Sequence, residues 1–317
     1  MKRIITAIMA LAVLAGCRGH RYTGLERTDW APDVKEAVND FLELYHGSRD
    51  AYAVFDFDNT SAIFDVEEQL MAYQLETMSF ALDPSGLRAA ISTGLENREE
   101  AAGWISDITV AYTVLYDKYG PFSPEGLPED KAEELHADPW WQEFASKMGL
   151  LYDKVGLWCS TETSYNWVLY WFSGMTEKEV YDLAYRSHSK YSKLETSSVR
   201  WSGPEGLDSK VGPVTFEWTS GVQVTENIKE LWSALQSAGI DVWVCSASGI
   251  QQILAAIDAF GLHDKCSGVL GMTLKKDLAG RYIPSYDYSG GCGFRPAAGG
   301  WKEGGLPMHA MPAGPGK

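Results

Sequence analysis

The chain has 317 residues, 45% of them hydrophobic, and a formal net charge of −16. That length and apolar content allow a large core and exceed one ordinary domain, so two lobes are expected. The charge offers no basic stripe for a nucleic acid and no attraction to anionic lipid.

At the amino terminus Met1-Lys2-Arg3 precedes an apolar stretch from Ile4 to Leu14 and then Leu14-Ala15-Gly16-Cys17. This is a charged n-region, an h-region and a small-residue cleavage site, and the stretch is too short for an ordinary membrane span. The tetrapeptide resembles a bacterial lipoprotein box. The resemblance implies cleavage before Cys17, lipidation of Cys17, and an exported protein, periplasmic or cell-surface, anchored to a membrane through its lipid. An uncleaved anchor is the competing reading. Residues 18–35 are then expected as a tether.

Residues Tyr52 to Phe57 have the length and β-rich apolar character of a buried strand, and Asp56 and Asp58 stand at its carboxyl end, followed by Thr60. Ligands of α/β sheets bind at that end of the strands. Two adjacent carboxylates there suit a nucleophile and its proton partner. A solvated acidic turn is the bland alternative.

Asp56-Phe57-Asp58-Asn59-Thr60 resembles the first motif, D-x-D-x-T, of the haloacid dehalogenase superfamily. Further on, Val224 to Leu235 reads as a capped amphipathic helix, and Ile240 to Gly249 as a strand after Gly239. That strand looks like the superfamily's second motif, with Ser246 as the hydroxyl that bonds the transferring phosphoryl group. The resemblance implies an α/β fold, a Rossmann-like core with a parallel sheet, and Mg²⁺ held by Asp56 and Asp58. It further implies catalysis by Asp56, Asp58 and Ser246, and phosphate contacts from Asn59, Thr60, Ser246 and Ala247.

Between the motifs, apolar residues recur at helical spacing over 66–81, 87–119, 129–150, 163–172 and 176–191, with Pro121, Pro124 and Pro128 interrupting. Thr176 and Glu179 form a capping box. Residues 66–221 therefore read as a helical cap inserted into a core of 36–65 and 222–288. The Gly174-Met175-Thr176 turn is similar to one in relatives of phosphoserine and phosphorylcholine phosphatases. The insert is rich in aromatic rings, among them Trp104, Tyr112, Trp141, Trp167, Tyr170 and Trp171, most of them expected in the core. Aromatic faces also attract quaternary ammonium groups, so the expected partner is a small phosphorylated metabolite that can carry a cationic amine.

After Ser246, a helix over 250–260, a strand over 269–276 and a partner strand at 281–283 across a turn at 277–280 are expected. Cys245 is expected inside a buried strand, and no disulfide framework or zinc site is expected. Residues 289–317 are rich in Gly and Pro without periodicity and read as disordered. In the superfamily a lysine and an acidic fourth motif follow here. Lys317 or Lys302 is the candidate for the lysine, and no acidic strand follows, so the Tyr52-to-Phe57 strand is expected as a bare sheet edge. The reading is of a shortened phosphatase, unless Asp277 or Asp287 supplies the missing carboxylate. A phosphomonoester hydrolase working through an aspartyl-phosphate is the expected function. The alternatives are a catalytically impaired lipoprotein that only binds its ligand, and a non-functional fragment.

Overall fold

The computed structural model describes residues 22–48 and 50–289, together with the backbone of 292–294. The signal segment with Cys17, and the candidates Lys302 and Lys317, lie outside the described residues.

The chain is α/β. Helix α1 (Pro32–Tyr45) leads to strand β1 (Tyr52–Phe55), and the helices α2 (Val66–Thr77), α3 (Pro84–Ser92), α4 (Glu99–Tyr119), α5 (Ala132–His136), α6 (Pro139–Trp158), α7 (Thr161–Trp167) and α8 (Glu177–Tyr191) follow. A hairpin of β2 (Ser197–Ser202) and β3 (Thr215–Ser220) comes next. Then come α9 (Glu226–Ser237), β4 (Asp241–Gly249), α10 (Ile250–Ala259), β5 (Gly268–Met272), β6 (Leu274–Lys276), β7 (Tyr282–Tyr286) and β8 (Cys292–Phe294).

The principal sheet has the order β1-β4-β5-β8. Strand β1 is parallel to β4 and β4 to β5, while β8 runs antiparallel to β5. The expected disordered tail thus contributes a strand at 292–294. Two right-handed crossovers stepping in one direction put α9 and α10 on the same face of the sheet. Ala53, Phe55, Val242 and Val244 face these helices, and the Phe55 and Trp232 rings meet at 5.5 Å. The register places Tyr52, Val54, Asp241 and Trp243 on the opposite face. Tyr52 and Val54 are 41% and 45% exposed, and Cys245 is exposed too. A parallel strand covered on both sides would be buried throughout. The expectation of a buried β1 and a buried Cys245 is therefore corrected: among the described residues one face is open, and β1 is the sheet edge.

The helical insert follows the spacing closely. The stretch expected as helical over 87–119 breaks at 93–98, where Gly94 takes a positive φ of 81° that glycine adopts without steric cost. The Thr176–Glu179 capping box forms at the start of α8. The β2–β3 hairpin was not expected in a helical insert. It is held by Trp201, Phe216 and Trp218, all buried, with Phe216 lying against Gly149 of α6. A Cβ at position 149 would come within 2.3 Å of the Phe216 ring, so the hairpin sits only because the helix carries glycine there.

A buried ion cluster ties this hairpin down as well. Lys147 on α6 is fully buried and pairs with Asp107 of α4 at 2.8 Å, with Glu143, and with Ser209 of the β2–β3 loop at 2.5 Å. Asp107 also accepts the backbone N–H groups of Lys210 and Val211. A single hydrophobic cluster runs from the insert through α8 and α10 into the sheet, so the two expected lobes share one core. Residues 22–31, assigned above to a tether, are docked on α9: Leu25 is buried, and Glu230 accepts from the backbone N–H groups of Glu26 and Arg27 and from Trp30 Nε1.

Candidate active site

The loop after β1 is folded on itself. The backbone N–H groups of Thr60, Ser61 and Ala62 reach the Phe57 carbonyl, Ser61 Oγ donates to the Asp56 carbonyl, and Asn59 takes a positive φ of 55°. Asparagine tolerates that left-handed conformation better than most side chains. The Asp56 carboxylate is exposed, with Oδ1 accepting from the Phe57 N–H at 2.8 Å and Oδ2 from Thr60 Oγ1 at 3.1 Å. Thr60 and Asn59 are exposed beside it.

Asp58 turns inward. Its Oδ1 accepts the Val66 N–H at the start of α2, at 2.8 Å. Its Oδ2 accepts from Ser248 Oγ at 2.7 Å and Ser246 Oγ at 3.3 Å, both from the end of β4. The β4–β5 register shifts between Cys245 and Gly249, and such an irregularity re-aims side chains at a strand end. Burial, and the neighbouring Asp65 carboxylate, push Asp58 up to about 6 against the pull of these hydrogen bonds.

The first two motifs therefore do converge. Ser246 is buried and spends its hydroxyl on Asp58, while Ala247, next along the strand, is exposed. The sequence reading missed Ser248, which makes the shorter bond to Asp58.

It also missed the carboxylates at the start of α2. Asp65 caps that helix by accepting the N–H groups of Glu67 and Glu68. Burial raises the Asp65 carboxyl, and it raises Glu67 well above the ordinary range with Asp65 and Asp58 adding to it. Glu67 Oε2 is buried and has no hydrogen-bond partner among the described residues. Burial, then Asp65 and Asp153, push Glu68 up to about 7. The signal lay in the sequence as Asp65-Val66-Glu67-Glu68, an N-cap followed by acidic residues.

Among the described residues the expected magnesium finds an incomplete set of ligands. Mg²⁺ wants roughly six oxygens in near-octahedral array. Both Asp58 carboxylate oxygens accept from protein donors, so Asp58 would meet a metal through its backbone carbonyl, the atom the resemblance implies, and Asp56 through its carboxylate. No group of three or more His, Cys, Asp or Glu is placed to hold a metal among the described residues. Asp277 does not fill the gap, since its Oδ1 caps the β6–β7 turn by accepting from Ala279 and Arg281 N–H. Asp287 accepts from Ser289 in the turn that follows β7.

No protein-family model matches the chain, and no curated protein matches it. Among solved structures it is similar to a conserved functionally unknown protein from Anaerococcus prevotii. The two are 25% identical with a TM-score of 0.69, over 83% of this chain and 73% of that one. The likeness is one of fold. It brings no activity with it.

Proposed function

We propose that the chain is a phosphomonoester hydrolase of the haloacid dehalogenase type, working through an aspartyl-phosphate. The observation that carries the reading is the position of Asp58, held by Ser246 and Ser248 from the neighbouring parallel strand while Asp56 stands exposed on the same loop.

An Asp56 oxygen attacks phosphorus as the bond to the leaving alcohol breaks, giving the aspartyl-phosphate. Asp58 gives its proton to the leaving oxygen, then takes one from the water that attacks phosphorus and releases Asp56 and inorganic phosphate. A carboxyl pushed up to about 6 can hold a proton and give it up near neutral pH, as both steps require. Asn59, Thr60 and Ala247 are exposed and are the residues proposed to contact the phosphoryl oxygens, although the Asn59 and Thr60 N–H groups are themselves bonded to the Phe64 and Phe57 carbonyls. Magnesium, if held by Asp56 and the Asp58 backbone carbonyl, would neutralise charge on the phosphoryl group. Release of inorganic phosphate from a panel of small phosphomonoesters tests the reading, with Asp56→Asn as the control: turnover that survives this change excludes Asp56 as the nucleophile.

A second reading has its own observation. Ser246 points at Asp58 and not into open solvent, and the described residues hold no complete metal shell. A chain that binds a phosphate ester without turning it over fits those facts. Calorimetric binding of the same panel with no product formed would select it. In either case we place the protein outside the cytoplasm, anchored through Cys17, and a lipid mass increment on the amino-terminal peptide tests that placement. No helix of the described residues is long and apolar enough to cross a membrane.

A further inference from the structure

The two hydroxyls that hold Asp58 come from a stretch of β4 that the sheet itself does not fix. Pairing of β4 with β5 stays in register as far as Cys245 opposite Leu270, then shifts, and resumes at Gly249 opposite Met272. Ser246 and Ser248 lie between those two points. There the Ser248 N–H donates to Ser246 Oγ at 3.1 Å, and Ser246 Oγ donates in turn to Asp58. The aim of both hydroxyls therefore depends on how the far end of the stretch, at Gly249, is held.

Gln252, in the first turn of α10, reaches back to that point. Its Oε1 accepts the Gly249 N–H at 3.0 Å. Gln252 is 1% exposed, and its Nε2 has no hydrogen-bond partner among the described residues, so the acceptor end of the side chain is the end in use. The fit is close: a Cβ at position 249 would stand 3.1 Å from both Gln252 Cδ and Leu169 Cδ2, tighter than an ordinary contact. The Gln252 carbonyl accepts from Nε2 of buried His188, on α8 of the insert, at 3.2 Å. The Gly249 backbone also lies within hydrogen-bonding reach of the Glu67 carboxyl, so this turn is held between α2 and α10.

A side chain that reaches back to the start of its own helix is a common cap and by itself contributes stability. Here the capped residue directly follows Ser248, whose hydroxyl makes the shorter bond to Asp58 Oδ2. We propose that Gln252 is a positioning residue for Asp58: by holding the Gly249 N–H it aims Ser248 Oγ at that carboxylate. Its effect on turnover rests on the hydrolase reading, in which Asp58 gives and takes the proton.

The test joins kinetics on a phosphomonoester to crystal structures of the variants. Gln252→Met keeps the length of the side chain and removes the acceptor, so kcat should fall about tenfold with KM little changed. In a Ser248→Ala background the same change should cost nothing further, because the bond it supports is already gone. Gln252→Glu restores an acceptor and should recover most of the loss. Gly249→Ala crowds the same contact from the other side and should act as Gln252→Met does, which provides a second variant if methionine destabilises the fold. A residue that only caps α10 would lower the melting temperature in Gln252→Met and leave kcat unmoved, and that result overturns the proposal. A loss in kcat that simply adds to that of Ser248→Ala overturns it too. The structure of Gln252→Met needs no turnover and so separates this inference from the hydrolase reading. Ser248 Oγ is expected there beyond hydrogen-bonding distance of Asp58 Oδ2, and a bond still at 2.7 Å overturns the proposal. No phosphate release from the parent, with Ser248 displaced in the variant, overturns the hydrolase reading and supports the positioning of Asp58 by Gln252.

Discussion

The Ser248 hydroxyl donates to Asp58 Oδ2 at 2.7 Å, across from β4 to the loop after β1. A hydrogen bond to the ionised carboxylate favours that form, so Ser248 pulls the Asp58 carboxyl down while burial pushes it up. In Ser248→Ala the downward pull is lost and Asp58 should titrate at higher pH. If Asp58 acts as the proton donor, the alkaline limb of kcat/KM then moves to higher pH by up to about one unit. A pH–rate profile of the two proteins reads the shift directly, and an unmoved limb separates Ser248 from the titration of Asp58.

Asp56 stands exposed, its carboxylate accepting from the Phe57 N–H and Thr60 Oγ1. Asp56→Asn keeps the shape and the hydrogen-bonding size of the side chain but is a far weaker nucleophile. Phosphate release should fall by at least about 10³-fold, with the melting temperature within a few degrees of the parent. Mass spectrometry should find the phosphorylated intermediate on the quenched parent protein and none on the variant.

The motifs around Asp56, Asp58 and Ser246 were legible because each is a local run, an apolar strand ending in polar residues. The capping box at Thr176 and the helices of the insert were legible for the same reason, since spacing and caps are local. What escaped reading depends on contacts distant in sequence. Ser248 faces Asp58 only because the β4 register shifts after Cys245. The burial of Glu67 depends on α2 being packed against α8, α10 and α6. In β3 the alternation Thr215-Phe216-Glu217-Trp218 was a strand signal in plain view, but its partner strand lies across a long polar loop and its support is Gly149, a helix residue. The open sheet face is likewise not local: it depends on which way the crossovers step.

The carboxylates at the start of α2 set a pH dependence of stability. Asp58 and Glu68 have folded-state values of about 6 and about 7, above their ordinary values, and Glu67 is also raised. A carboxyl raised by folding binds more protons in the native state, so its contribution is present at low pH and is lost as pH rises through the folded value. Buried His188 works in the opposite sense. Burial lowers it to about 4, so it costs stability below about 6.5, where the unfolded histidine takes up its proton. The two trends oppose one another up to about pH 6.5, and above it the carboxylates act alone. The melting temperature should therefore fall between pH 6.5 and 8.5, with a slope that flattens in Glu68→Gln. Differential scanning calorimetry across that range checks it, and a rising melting temperature would contradict the burial of these groups.

The Lys147 ammonium is fully buried among Asp107, Glu143 and Ser209, and Asp107 in turn holds the backbone at Lys210 and Val211. In Lys147→Met the packing volume is nearly kept, but two buried carboxylates lose their cation. Removing one partner of such a buried group costs about 3–5 kcal/mol. The companion change Lys147→Met with Glu143→Gln and Asp107→Asn removes the orphaned charges and should recover part of that loss. Both proteins should be compared by urea denaturation. Because Asp107 anchors the β2–β3 loop, the single variant should also expose the 203–214 segment to protease before the rest of the chain unfolds, whereas a uniform loss of stability would leave that segment no more sensitive than its surroundings.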